Sequence, residues 1–165
     1  CLFYGCWPAM TEPFRKEFAW SSRYRFADWP NASVPNVAAG VYLIWEEARL
    51  IYVGMSGRKI GAGREQHRSR AGLVTRLASH ASGRLSGDQF CVYVANRIVI
   101  PRLTPDQLPR FEAGDLRLDH LTKAYIHERL TYQFTIVASG AEAFQVEDAC
   151  RRGELFGEKP WLNPG

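Results

Sequence analysis

The sequence predicts an α/β domain, and three observations point to it. Two short runs, Gly40 to Trp45 and Leu50 to Met55, are rich in β-branched and aromatic residues and bounded by Gly or charge, so they read as the strands of a hairpin turning at Glu46 to Arg49. Residues 71–81 and 141–152 carry helical spacing, the second stopped by Gly153. At 165 residues the chain is long enough for one domain with a sizeable core and too short for two.

Composition narrows the class. Hydrophobic residues at 46% and charged residues at 23% are ordinary for a soluble globular protein, and no apolar run approaches the roughly 18 residues of a membrane span. The four cysteines, Cys1, Cys6, Cys91 and Cys150, are scattered and lack the Cys-x2-Cys pairs of a zinc site. Reduced thiols and a cytoplasmic location are expected. The net charge of +4 is unevenly placed: Arg49 to Arg102 holds ten Arg or Lys against Glu65 and Asp88, a local net of +8, while the rest of the chain nets −4. That asymmetry favours a polyanionic partner on the middle of the protein over a merely solvated basic face.

In chain order, residues 1–36 are an aromatic, Pro-punctuated arm whose rings are expected to pack on the domain, with stacking on unpaired bases as the rival use. Glu12 to Arg23 could form one short helix; Pro30 and Pro35 forbid a regular element leading into the hairpin. After the hairpin, Ser56 to Arg70 combines three glycines with Arg58, Lys59, Arg64, Arg68 and Arg70, which reads as a phosphate-contacting loop without Walker spacing. In the helix Ala71 to Ala81, Leu73, Val74, Leu77 and Ala81 form the apolar stripe; Arg76 and His80 lie together about 95° from its centre, at the rim. Phe90 to Val94 reads as a third strand, possible continuation being Ile98 to Ile100, and 97–120 as an inserted excursion. Leu121 to Arg129 is helix-compatible, Tyr132 to Val137 a strand, and Ala141 to Arg152 a helix carrying Glu147. The chain closes on Pro160-Trp161-Leu162-Asn163-Pro164.

Gly40-Val41-Tyr42 followed ten residues later by Tyr52-Val53-Gly54 resembles the paired motif of the GIY-YIG nucleases. Arg76-x3-His80 on the next helix is similar to the arrangement of the restriction-enzyme branch, and Glu147 and Asn163 follow in the family's order, sixteen residues apart, a longer interval than usual. The resemblance covers 40–164, places 37–165 as the nuclease-like domain, and implies a small central, mainly antiparallel sheet flanked by helices. It implies a phosphodiester hydrolase leaving 5′-phosphate and 3′-hydroxyl ends, with DNA of unresolved strandedness as substrate and Mg²⁺ or Mn²⁺ as cofactor; a homodimer is left open. The implied site is Tyr42, Tyr52, Arg76, His80, Glu147 and Asn163, with Glu147 as metal ligand, Asn163 as support and the loop cations Arg58, Lys59, Arg64, Arg68 and Arg70 on the nucleic acid.

The chemistry can be tested residue by residue. Mg²⁺ keeps several waters and needs only one or two carboxylates. On the helix Asp148 and Glu142 point away from Glu147, so a one-metal site is expected and a two-metal site disfavoured. Tyr42 is the family's candidate base, but a free phenol near pKa 10 is about three units from neutrality and needs help from Arg76, a metal, Tyr52 or His80. His80 could itself take the proton, directly or through Tyr42, and the two roles stay open. Each residue also has a plainer use: core rings for the tyrosines, a solvated helix position for Glu147, a turn for Asn163. The rival functions are a nucleic-acid-binding module without catalysis, which predicts salt-sensitive binding without turnover, and a protein-interaction domain with no affinity for nucleic acid.

Overall fold

The computed structural model describes residues 17–61 and 72–164. Its organising unit is the hairpin of β2 (Ala39–Glu46) and β3 (Arg49–Ser56), which follows a two-residue strand β1 (Tyr24–Arg25). The helix α1 (Leu73–Ser82) comes next, then α2 (Gln89–Val94), α3 (Leu108–Glu112), α4 (Leu118–Arg129), the strand β4 (Leu130–Val137) and α5 (Gly140–Arg152). The four strands form one antiparallel sheet in the order β1-β4-β2-β3, with helices on both faces, the architecture expected from the sequence.

The hairpin register sets which side chains share a face. Tyr42 stands opposite Gly54 and Ile44 opposite Tyr52, but Trp45 pairs with Leu50, so Ile51 is an extra residue in β3. A bulge of this kind breaks the two-residue alternation. Its effect here is that Ile51 and Tyr52 both join Tyr42 and Ile44 on one face, while Leu50 turns to the other with Trp45.

On the tyrosine face, α1 packs Leu73 and Leu77, α2 packs Phe90, Cys91 and Val94, and α4 packs Ile126 against Tyr42, Ile44, Ile51 and Tyr132. On the opposite face, α5 presents Ala143, Val146 and Cys150 at i, i+3 and i+7 to Val41, Leu43 and Val53, so one stripe of this helix is buried. The described part of the arm, from residue 17, supplies rings to both, Phe18 and Trp20 on the α5 face and Tyr24 and Trp29 on the other; its first sixteen residues lie outside the described residues. The part of 12–23 that is described, residues 17–23, is not helical.

One expected element differs. Phe90 to Val94 is not a strand but α2, and the chain stays helical from Gln89 through a π-type stretch, Ala95–Val99, to a 3-10 turn, Ile100–Arg102. A short apolar run has no period by which strand and buried helix can be told apart. What decides it is Asp88, whose side chain accepts the Cys91 N–H at 3.1 Å and so supplies an N-cap. The segment 97–120 is therefore largely helical, with a 3-10 turn at Pro105–Gln107 leading into α3.

Other ends follow their residues. Ser139 Oγ accepts the Glu142 N–H at the start of α5, and Gly153, at φ 83, closes it in the left-handed conformation that glycine tolerates. After α5 the chain returns along the free side of β3: Trp161 and Leu162 N–H donate to the Leu50 and Ile51 carbonyls. No helix among the described residues is long and apolar enough to cross a membrane.

Candidate active site

The fold brings three of the sequence-predicted residues into direct contact. The Tyr42 hydroxyl, projecting from central strand β2, lies 2.8 Å from His80 Nε2 on α1. Tyr52, diagonal to Tyr42 on β3, sets its ring 6.4 Å from the Tyr42 ring and 5.9 Å from the imidazole. Phe90, from the start of α2, closes the cluster with its ring 4.8 Å from His80 and 5.0 Å from Tyr52.

His80 lies deeper than its place on the helical wheel suggests. It is 4% exposed rather than at a wet rim, while Arg76, one turn earlier, is exposed as expected. The cause is a partner that the spacing on α1 cannot reveal. His80 Nδ1 lies 2.7 Å from Asp88 Oδ2, and Asp88 is itself buried. Burial alone would push the Asp88 carboxyl up, but the hydrogen bond and charge of His80, with further hydrogen bonds from Ser79 and the Cys91 N–H, pull it down to about 2. One carboxylate therefore caps α2 through Oδ1 and holds His80 through Oδ2.

Both phenols are held protonated. Burial drives Tyr42 well above the usual value near 10, and the charges of Tyr52, Asp88 and Glu147 add to it, with Arg76 opposing. Tyr52 is raised to about 12, first by burial and then by Asp88, Glu147 and Tyr93, again with Arg76 opposing. A free Tyr42 phenolate is thus disfavoured, and help from Arg76 does not suffice. The direct polar partner of the Tyr42 hydroxyl is His80 Nε2.

Glu147 stands on α5, on the other face of the sheet from Tyr42. Its helix packs below the sheet, but Glu147 lies on the flank beside the buried stripe, next to Arg151, whose Nη1 is 4.0 Å from the Glu147 carboxylate. Arg151 in turn donates to the Pro164 carbonyl, in the segment that runs along β3. That flank therefore turns toward the β3 edge, and the charge of Glu147 is felt at both Tyr42 and Tyr52. Burial raises the Glu147 carboxyl above its ordinary range, although Arg151, Arg58 and Arg76 all act to lower it.

Asn163 completes β3 from outside. Its Oδ1 accepts the Val53 N–H at 2.8 Å and its Nδ2 donates to the Val53 carbonyl at 2.9 Å. It pins the residue between Tyr52 and Gly54. Of the loop cations, Arg58 and Lys59 are exposed at the end of the hairpin, and Arg58 lines a shallow hollow with Ile60, Gly61 and the start of α5. Arg64, Arg68 and Arg70 lie outside the described residues. Cys91 and Cys150 are buried free thiols, both pushed up by burial.

The donor set suits at most a lightly held, hydrated cation. Among the described residues no group of three or more His, Cys, Asp and Glu could hold a metal ion. Asp88 is committed to His80, and Asp148 pairs with Arg152. Glu147 is left as a carboxylate whose burial is not offset by its arginines. One carboxylate with waters filling the remaining positions is a coordination that Mg²⁺ or Mn²⁺ accepts.

Two residues of this cluster, Asp88 and Phe90, escape the sequence reading. The signal for Asp88 is its place just before an apolar run, where Asp commonly caps a helix. The structure thus defines a mixed α/β protein with a buried carboxylate–imidazole–phenol chain. Comparisons with protein-family models, with curated proteins and with solved structures returned no match.

Proposed function

We propose that the chain is an endonuclease of the GIY-YIG type that hydrolyses phosphodiester bonds in DNA with the aid of a divalent cation. The observation that carries the reading is the 2.8 Å bond between the Tyr42 hydroxyl and His80 Nε2, formed between the first motif tyrosine and the helix histidine. The charges of Arg76 and Glu147 both act on the two phenols, although Glu147 stands on the helix of the opposite sheet face.

In this reading a water attacks the phosphorus in line with the departing 3′ oxygen. The water gives its proton to Tyr42 as Tyr42 gives its own to His80, so no free phenolate forms in a place that disfavours one. Arg76, exposed on α1 one turn before His80, stabilises charge gathering on the phosphoryl oxygens. Tyr52 orients the same phosphate. Glu147 would hold the cation, which when bound supplies positive charge for the leaving oxygen. Asn163 keeps β3, and with it Tyr52, in register. The 2% exposure of Tyr42 requires substrate binding to open the rim it shares with Tyr52.

The same burial favours one rival, a nucleic-acid-binding module without turnover. Incubating the purified chain with plasmid and single-stranded DNA plus Mg²⁺ or Mn²⁺ separates the two. Cleavage that disappears in Glu147→Ala is expected; salt-sensitive binding without cleavage establishes the rival, and cleavage retained in Glu147→Ala overturns the assignment of the metal ligand.

A further inference from the structure

We infer that Asp88 is a positioning residue that fixes the tautomer of His80, holding hydrogen on Nδ1 so that the Nε2 lone pair faces the Tyr42 hydroxyl. This rests on the nuclease reading for its catalytic meaning, but the tautomer itself follows from geometry. An ionised carboxylate only accepts hydrogen bonds, so a 2.7 Å approach of Asp88 Oδ2 to Nδ1 places the hydrogen on Nδ1. In a neutral imidazole Nε2 is then an acceptor, and its partner at 2.8 Å is the Tyr42 hydroxyl. The result is a directed chain, Tyr42 O–H to His80 to Asp88, in which a proton leaving Tyr42 lands on an imidazole already facing a carboxylate. The logic is that of a nucleophile–histidine–carboxylate triad, with a tyrosine standing where the nucleophile would be and a water as the attacking group.

Three further observations support a directional role. His80 and Asp88 are 4% and 5% exposed, so solvent does not compete for the bond. Phe90 packs against the imidazole and restricts its rotation. Asp88 is also anchored by the Cys91 N–H on its other oxygen, which fixes the carboxylate plane. Removing one partner of such a chain leaves a buried donor or acceptor unpaired.

Asp88→Asn is the decisive variant, because its Oδ1 can still accept from the Cys91 N–H and cap α2. Its amide nitrogen, however, would donate to Nδ1, which moves the ring hydrogen to Nε2 and aims it at the Tyr42 oxygen. Two-dimensional ¹H–¹⁵N NMR of the ring nitrogens is expected to show His80 carrying hydrogen on Nδ1 in the wild-type chain and on Nε2 in Asp88→Asn. On plasmid DNA with Mg²⁺, kcat should fall about 10²- to 10⁴-fold with KM little changed. If Asp88→Asn does not fold, Asp88→Ser keeps a capping oxygen but cannot reach His80, and should give a tautomer mixture with at least about a tenfold lower kcat. Wild-type turnover in either folded variant, or an unchanged Nδ1–H tautomer in Asp88→Asn, overturns the inference. A wild-type chain that cuts nothing removes the nuclease reading, and the NMR signals alone then decide whether Asp88 sets the imidazole.

Discussion

The Tyr42 phenol occupies the space a side chain at Gly54 would need. The two residues are directly paired across β2 and β3, and a Cβ built on Gly54 would overlap the hydroxyl and the ring carbon that bears it. Glycine here is needed for close approach, since its backbone is ordinary strand. Exchanging Gly for Ala inside a strand is usually favourable. At this position Gly54→Ala should instead destabilise by about 1–3 kcal/mol and displace the Tyr42 hydroxyl from His80. Urea denaturation reads the first effect, and loss of cleavage the second.

Glu147 predicts opposite effects on stability and activity. Its carboxyl is raised above the ordinary range, so the folded chain binds this proton more tightly than the unfolded one. The associated stability is fully present below the unfolded value of 4.5 and is lost as pH rises through the folded one. Glu147→Gln should therefore raise the melting temperature at neutral pH and flatten this part of the pH dependence. The same variant should abolish cutting. Calorimetry at several pH values with a plasmid assay alongside checks both.

Asp88 titrates with the reverse sign. Held at about 2 against an unfolded 3.8, its carboxylate stabilises the fold above that unfolded value and ceases to as pH falls from 3.8 toward 2. The contribution at neutral pH is on the order of 2 kcal/mol. Asp88→Ala also loses the α2 cap and leaves the His80 N–H unpaired, so it should cost about 2–4 kcal/mol near neutrality. Urea curves for the two proteins should converge as pH drops below about 3.

Arg76 separates activity from folding. It is an exposed helix residue, so Arg76→Ala should change stability by no more than about 0.5 kcal/mol. If it stabilises phosphoryl charge, cleavage should fall by about 10² or more. Thermal melts compared with turnover at saturating DNA test the pairing of a near-silent and a large effect.

Asn163→Ala should loosen one strand rather than the molecule. It removes two hydrogen bonds to Val53, a loss of about 1–3 kcal/mol. Amide exchange at Val53 should accelerate while that of Leu43, in the centre of the sheet, changes only with global stability.

Most of the scaffold is legible in the sequence because its boundaries are local. The hairpin is written in two β-rich runs, and α5 in an apolar stripe closed by Gly153. What is hidden depends on contacts between distant segments. The bulge at Ile51 appears only as a register shift between partners, and the two-residue strand β1 exists because β4 accepts it. Phe90 to Val94 defeats periodicity since an apolar run of five is equally compatible with helix and strand. The site follows the same division: Tyr42, Tyr52 and His80 are placed in contact, but the burial of His80 and the part played by Asp88 depend on the turn between α1 and α2. That turn returns the chain at Gly83, whose left-handed backbone at φ 70 lets α1 end beneath α4.

The segment that runs back along β3, and the arm along β4, have a consequence for any partner. Leu162 and Asn163 occupy hydrogen-bonding groups on the outer side of β3, and β1 with Ser21 does the same for part of β4. Peptides that recognise a protein by lengthening its sheet need a vacant margin of this kind. Here the margin of β3 from Leu50 to Val53 is already filled by the chain's own residues 161–163, so that stretch is closed to strand addition.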